Sequence, residues 1–130
     1  MNPNLDEIKE WFQVAEDDLT SAQILLDHEP PIINTICFHC QQAIEKSLKA
    51  FLVWKNEPFE KTHDLTYLLE LCETHGFAFD VLKDKAKIIT SYAVKNRYPS
   101  AGPKITIDEA REALDIANDV WRVVRGLINI

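Results

Sequence analysis

Glycine is scarce in this sequence, with 3 residues among 130, where average usage would give roughly nine. Few tight turns are therefore available, which argues against an all-β sandwich or barrel. Long apolar runs are also absent, and the longest, Ala50–Trp54, is far shorter than the roughly 18 residues that span a membrane. The N-terminal residues contain neither a basic region nor an apolar core, so we expect no secretory signal and a soluble, cytoplasmic chain.

Cysteine is sparse and odd in number, with 3 residues. This usage fits a reducing compartment better than a disulfide framework. Cys37 and Cys40 have the spacing of a redox or zinc pair, but no second Cys or His pair stands at finger spacing. The stretch also lies within an apolar helical pattern, so the sequence predicts buried or half-buried thiols, with no metal site and no cofactor.

A broad excess of positive charge is lacking, since the net charge is −7. Binding of duplex DNA, which requires a broad basic face, is therefore not expected. Residues 1–31 hold eight acids and one base, whereas residues 83–104 hold six bases and one acid. The basic segment is either a local anion-binding region or a solvated lysine face, and the sequence leaves both interpretations open.

The remaining composition is that of a folded domain. Hydrophobic residues make up 46% and charged residues 27%, both close to globular averages. A chain of 130 residues matches one domain and can bury about two-thirds of its unfolded surface. No repeat, low-complexity tract or linker interrupts it, so a single domain is predicted over residues 1–130.

Apolar residues recur at spacings of three and four, which is typical of amphipathic helices. The predicted helices are Leu5 to about His28, about Ile33 to Lys55, about Asp64 to His75, about Phe79 to Val94, and Ile107 to near the C-terminus. Gly76 suits a left-handed terminator, and Thr106 with Glu109 forms a capping box. Residues 95–105 are expected to be irregular. No strand is predicted, so the fold class is all-α, an up-and-down antiparallel bundle of four main helices and one short helix.

Three local details follow from the same patterns. Thr62 or His63 is expected to cap the third helix, whose free backbone N–H groups favour an anion. Glu45 and Lys49 stand four residues apart with the acid first, which is the favoured order on an exposed helix face. The last helix has an apolar face wider than one layer of neighbours requires, which predicts a second partner surface.

Several polar segments exceed what solubility requires: Gln41–Ala50, Lys61–Leu65 and Asn96–Pro99. With the acidic first helix around Ala15–Leu19 and an Ala-rich last helix that opens with Glu109-Ala110, their order and spacing resemble the HEPN family. The name denotes a nucleotide-binding domain shared by higher eukaryotes and prokaryotes. The resemblance covers nearly the whole chain and implies an up-and-down helical bundle, often dimeric and commonly encoded beside a minimal nucleotidyltransferase.

Some members of that family are metal-independent ribonucleases of toxin–antitoxin and defence systems, while others bind nucleotides or serve as noncatalytic partners. The ribonucleases carry an Arg followed a few positions later by a His, which stabilise phosphate charge and transfer a proton respectively. Asn96-Arg97 matches the first half, but none of the 4 histidines follows Arg97. The resemblance therefore implies no catalytic residue here, and it leaves open whether the chain is an enzyme.

The function expected from the resemblance is a nucleotide-binding or partner-binding domain, working with a minimal nucleotidyltransferase in a toxin–antitoxin or defence-type pair. Two alternatives stay open: a metal-independent ribonuclease toxin with a degenerate or relocated site, and a ligand-free dimeric interaction module. The expected partners are a second copy of the chain, the nucleotidyltransferase, and a nucleotide or RNA. Neither duplex DNA nor a membrane is expected as a partner.

The residues expected to bind the nucleotide or another anion are Arg97, Lys61, His63, Tyr98, Asn96, Lys46 and Lys49. Most of them also have a structural interpretation. Arg97 can pair with a helix end or an acid, and His63 can cap a helix. Lys46 and Lys49 can pair with Glu45 or with the acidic first helix. The three tryptophans are most simply core or interface aromatics.

Overall fold

The computed structural model describes residues 4–76, 80–97 and 104–128, and only the backbone at residues 80, 81 and 93–97. Five helices occupy these ranges: α1 (Leu5–Asp27), α2 (Ile33–Trp54), α3 (Leu65–Glu73), α4 (Asp80–Arg97) and α5 (Ile107–Leu127). No strand occurs within them, which confirms the predicted all-α class. Helix α2 is central, because it packs against each of the other four helices, and α1 also packs against α5.

Helix α1 forms because its apolar stripe and its ends are both well specified. Asn4 caps it by accepting a hydrogen bond from the Glu7 backbone N–H, and Asp6 and Glu7 complement the helix dipole in the first turn. The apolar stripe is buried as the spacing predicts, at Ile8, Phe12, Ala15, Leu19 and Ala22. Asp18 is buried on the same stripe, which places one carboxylate against α2.

The core lies around α2. Its largest fully buried apolar side chains come from α1 to α4 and from the residue that follows α5: Phe51, Ile8, Ile36, Leu48, Leu52, Leu65, Leu68, Leu69, Ile89 and Ile128. Helix α5 begins at the predicted capping box, in which Thr106 and Glu109 each bind the other's backbone N–H. Its buried face includes Ile116, which the sequence pattern did not select. Helix α5 packs against α1, α2 and α4.

The start of α3 differs from the sequence prediction. Asp64, rather than Thr62 or His63, is the N-cap, and its Oδ1 accepts from the backbone N–H groups of Thr66 and Tyr67 at 3.0 and 3.3 Å. Thr62 instead accepts from the Asp64 backbone N–H at 3.0 Å. Because a carboxylate already occupies these N–H groups, this helix end offers little attraction to an external anion. Gly76 has the predicted positive φ, 78°.

Helix α4 is longer than the sequence indicated. It continues to Arg97, whereas the chain was expected to become irregular from Lys95. The prediction was wrong because no Gly or Pro interrupts the pattern before Pro99, so nothing ends the helix earlier. Asn96 and Arg97 therefore belong to the last turn of a helix.

The three cysteines are free and buried, as predicted. Burial raises the pKa of Cys37 to about 11 and that of Cys72 to about 12. Burial also raises the pKa of Cys40, with smaller contributions from Cys37 and Asp18. The folded protein thus holds all three thiols in the protonated form at neutral pH.

We predict that these thiols resist modification in the native state. At about pH 8, a thiol reagent such as Ellman's reagent should react with none of the three within minutes, because the thiolate is the reactive species. In concentrated guanidinium chloride all three should react, since an exposed thiol has a pKa of about 8.5. Because the native pKa values are raised, the contribution of these thiols to the free energy of unfolding is fully present below about pH 8.5. It falls as the pH rises further. Rapid labelling of one native thiol would contradict the buried arrangement.

Candidate functional site

A line of charged side chains runs along the interface of α1 and α2 and reaches the loop before α3. We call it the polar seam, and its members are Asp18, His39, Glu45, Lys46, Lys49 and His63. Four of the six come from α2. Residues 39 and 46 are separated by about two helical turns, and residues 46 and 49 by about one. The three side chains therefore lie on one face of α2, the face toward α1.

Asp18 organises the first half of the seam. Its Oδ2 accepts from Lys46 Nζ at 2.6 Å, and its Oδ1 lies 2.8 Å from His39 Nδ1. The carboxylate is 8% exposed, so these two partners supply the hydrogen bonds that water would otherwise give. The contacts tie α1 to α2. Phe38, which is exposed, meets the His39 ring edge-to-face at 5.4 Å.

Glu45 organises the second half. Its Oε2 accepts from Lys49 Nζ at 3.3 Å, and its Oε1 lies 2.7 Å from His63 Nδ1. Glu45 is 2% exposed and Lys49 is 6% exposed, so the pair is buried rather than on the exposed face that its spacing favoured. The Lys49 ammonium also lies 5.3 Å from the Trp11 ring centroid and 6.0 Å from that of Phe59.

The segment that covers this pair follows α2 and explains why the exposed-face prediction was wrong. Glu57 donates from its backbone N–H to the Leu52 carbonyl at 2.9 Å, and Glu60 donates to the Tyr67 hydroxyl at 3.0 Å. These bonds fold the chain back, so that half-buried Phe59 packs near Lys49 and His63 reaches Glu45. A tertiary contact of this kind leaves no trace in the helix periodicity.

The two halves share one chemical arrangement. Each carboxylate binds one lysine and one imidazole Nδ1, and no hydrogen bond within the described ranges engages either Nε2. An Nδ1–H that donates to a carboxylate leaves Nε2 as a proton acceptor, and protonation turns Nε2 into a donor. The His63 side chain is 77% exposed, so its Nε2 is the more accessible of the two to a ligand.

The structure brings together some of the predicted binding residues. Lys46, Lys49 and His63 lie in the seam, and Lys61 is exposed on the loop two residues before His63. Lys46 and Lys49 form the pairs that their structural interpretation predicted, with α1 and with Glu45. Asn96 and Arg97 end α4, but their side chains lie outside the described part of the chain. Tyr98 lies outside it altogether.

Sequence reasoning missed Asp18, Glu45 and His39 as members of one site. A signal for Asp18 was present, because it stands three residues after Ala15 and four before Ala22, within the apolar stripe. An acid on a buried stripe requires a partner, and α2 supplies one. His39 was considered only for its position between Cys37 and Cys40, which directed attention to metal chemistry.

Two other kinds of site do not occur in the described ranges. No group of His, Cys, Asp and Glu there has the arrangement needed to hold a metal ion. No helix in the same ranges is long and apolar enough to cross a membrane.

Comparison with protein families and with solved structures relates this chain to the HEPN domain. The family model of the HEPN domain matches residues 8–127. The crystal structure of TT1696 from Thermus thermophilus is similar, with a TM-score of 0.76 and 27% identity over 95% of this chain and 100% of that one. The crystal structure of ST0689, an archaeal HEPN homologue, has a TM-score of 0.67 and 21% identity over 94% and 98% of the two chains. No curated protein matches this chain.

Proposed function

The chain belongs to the HEPN domain family, and from this premise we propose that it is a binding domain for a nucleotide or a partner protein. The nucleotide is bound through Arg97, Lys61, His63, Tyr98 and Asn96. Lys46 and Lys49, which pair with Asp18 and Glu45, contribute positive charge from the seam. The observation that carries the proposal is the exposed His63 imidazole, which buried Glu45 holds in place through Nδ1.

His63 has the properties of a ligand-binding group rather than of a purely structural one. A structural imidazole is expected to be covered, yet this side chain is 77% exposed although its Nδ1 is fixed at 2.7 Å. Since Glu45 fixes the ring, little side-chain entropy is lost when Nε2 contacts a phosphate oxygen. Lys61 is two residues away and exposed, so it adds positive charge on the same loop.

Arg97 is proposed as the main phosphate contact. Its guanidinium offers a planar fork of donors that binds two phosphate oxygens at once, which a lysine cannot do. It ends α4 at the start of the segment 98–103, within the region of the sequence richest in positive charge. A charge-assisted hydrogen bond contributes about 1.5–3 kcal/mol.

We therefore predict that Arg97→Ala weakens binding of ATP or of a short RNA roughly tenfold or more. Isothermal titration calorimetry measures this directly. Arg111→Ala is the matched control, because Arg111 is exposed near the start of α5 and its replacement removes the same charge elsewhere. If Arg97→Ala and wild type bind with equal affinity, or if wild type does not bind at millimolar ligand, nucleotide binding at Arg97 is rejected. The partner-binding alternative would then remain.

The partner in that alternative is a minimal nucleotidyltransferase, acting with this chain in a toxin–antitoxin or defence-type pair. Family membership supports this assignment, and α1, with seven acidic residues and one lysine, offers a partner a predominantly negative helix. Co-expression with the product of the neighbouring gene, followed by co-purification, tests it. A complex that survives size-exclusion chromatography is the expected result, and separate elution of the two proteins would contradict it.

We also predict that the protein is a homodimer. Several apolar side chains remain exposed in the described ranges, among them Val14 and Ile24 on α1 and Val123 on α5. A two-fold interface can cover both sets, and acidic α1 can complement basic residues of the second copy. Multi-angle light scattering at micromolar concentration should give twice the monomer mass of 15.0 kDa. A species of monomer mass alone would contradict the dimer.

A further inference from the structure

An open groove runs between α1 and α5 and shares no residue with the polar seam. It has two adjoining parts, of about 370 and 530 Å³, and both are lined by Glu16 and Trp121. The larger part lies within the roughly 300–1,000 Å³ that small-molecule sites occupy. The groove thus has the size of a ligand site.

Trp121 forms a rigid aromatic wall of this groove. Its Nε1 donates to the Phe12 carbonyl at 3.4 Å, and its ring meets the Phe12 ring edge-to-face at 6.1 Å. The indole is only partly buried, so it remains accessible from the groove. Because these contacts already fix the ring, a planar ligand group can stack on it without an ordering cost.

Positive charge predominates in the groove, although the whole chain carries −7. Its charged lining residues are Lys9, Arg122 and Arg125 against Glu16, and since Asp119 pairs with Arg122 at 2.6 Å, the positive charge left for a ligand comes from Lys9 and Arg125. The Arg125 guanidinium lies 5.6 Å from the Phe12 ring centroid, and its Nη1 donates to the Ile128 carbonyl at 3.3 Å. These contacts orient the guanidinium and leave further N–H donors for an anion.

We propose that this groove binds a mononucleotide. The base stacks on Trp121, the phosphate is bound by Arg125 and Lys9, and Glu16 accepts a hydrogen bond from a ribose hydroxyl. A flat aromatic wall, a forked cation and a single carboxylate match those three parts of a nucleotide together, whereas an acidic peptide uses only the cations. This proposal rests on the proposed function for its ligand class, a nucleotide. It places that nucleotide in the groove between α1 and α5, at a site that does not involve Arg97.

Calorimetric titration with AMP, adenosine and inorganic phosphate tests the site. We expect AMP to bind more tightly than either fragment, because only AMP engages both Trp121 and the cations. Trp121→Leu should weaken AMP binding at least about fivefold through lost stacking, and Trp121→Phe should restore most of it. Arg125→Gln should weaken binding by a similar factor, whereas Arg111→Gln, on the same helix but outside the groove, should not.

Exposed Lys9 provides a variant that leaves the fold intact, and Lys87, exposed on α4, is its control. Lys9→Ala should weaken AMP binding, and Lys87→Ala should leave it unchanged. Absence of AMP binding at millimolar concentration would overturn the proposal. Binding that depends on Arg97 and not on Trp121 would also overturn it, while supporting the site in the proposed function. If Trp121→Leu converts a dimer to a monomer without changing AMP affinity, the groove is an interface between copies and the proposal fails.

Discussion

Replacement of Glu45 by Ala is expected to destabilise the protein by about 3–5 kcal/mol, the cost of breaking a buried ion pair by removing one partner. The variant leaves the Lys49 ammonium 6% exposed between Trp11 and Phe59 without its carboxylate. It also removes the anchor of His63 and hence one attachment of the segment before α3. Urea unfolding followed by circular dichroism measures the loss.

The control for this prediction is Glu70→Ala, because Glu70 is exposed on α3 and its replacement should cost within about 0.5 kcal/mol. A second variant separates charge from packing. Replacing both Glu45 and Lys49 by Leu removes both charges and should recover much of the stability that Glu45→Ala loses. If Glu45→Ala costs less than about 1 kcal/mol, Lys49 reaches solvent by another route and the pair is not a buried one.

The parts of this fold that the sequence predicted are those governed by local rules. The stripes of α1, α2 and α5 are set by the helical period, and the start of α5 by a reciprocal cap between Thr106 and Glu109. An error arose where several local signals competed. At the start of α3, Thr62, His63 and Asp64 can each cap a helix, and Asp64 prevails because Glu45 binds the His63 imidazole.

The polar seam was predictable only in part, since its pairs join residues far apart in the chain. Lys46 was predicted to pair with Glu45 or with the acidic first helix, and it binds Asp18 of that helix, 28 residues away. Nothing in the sequence, however, indicates that the segment after α2 folds back over Glu45 and Lys49. That fold depends on backbone bonds such as Glu57 to Leu52 and on the packing of Phe59.

The absence of a histidine after Arg97 has a direct consequence for activity. We expect the isolated protein to cleave unstructured RNA at no more than the background rate, because general acid–base catalysis contributes about 10²–10⁴-fold and its usual donor is missing. His63 carries an accessible Nε2, but its Nδ1 is bound to Glu45 and its loop position differs from the expected one beyond Arg97. A fluorogenic RNA substrate, incubated with pure protein and a metal chelator, measures the rate.

Three variants make that ribonuclease measurement decisive. If wild type cleaves robustly, and cleavage is lost in Arg97→Ala but kept in Arg111→Ala, the chain is a ribonuclease and the binding-domain proposal is wrong. If cleavage is lost in His63→Ala as well, the relocated-site alternative is correct, with His63 as the proton-transferring group and Glu45 holding it through Nδ1. A background rate in wild type that none of the three variants changes is the result we expect, because a phosphate-binding arginine stabilises charge but moves no proton.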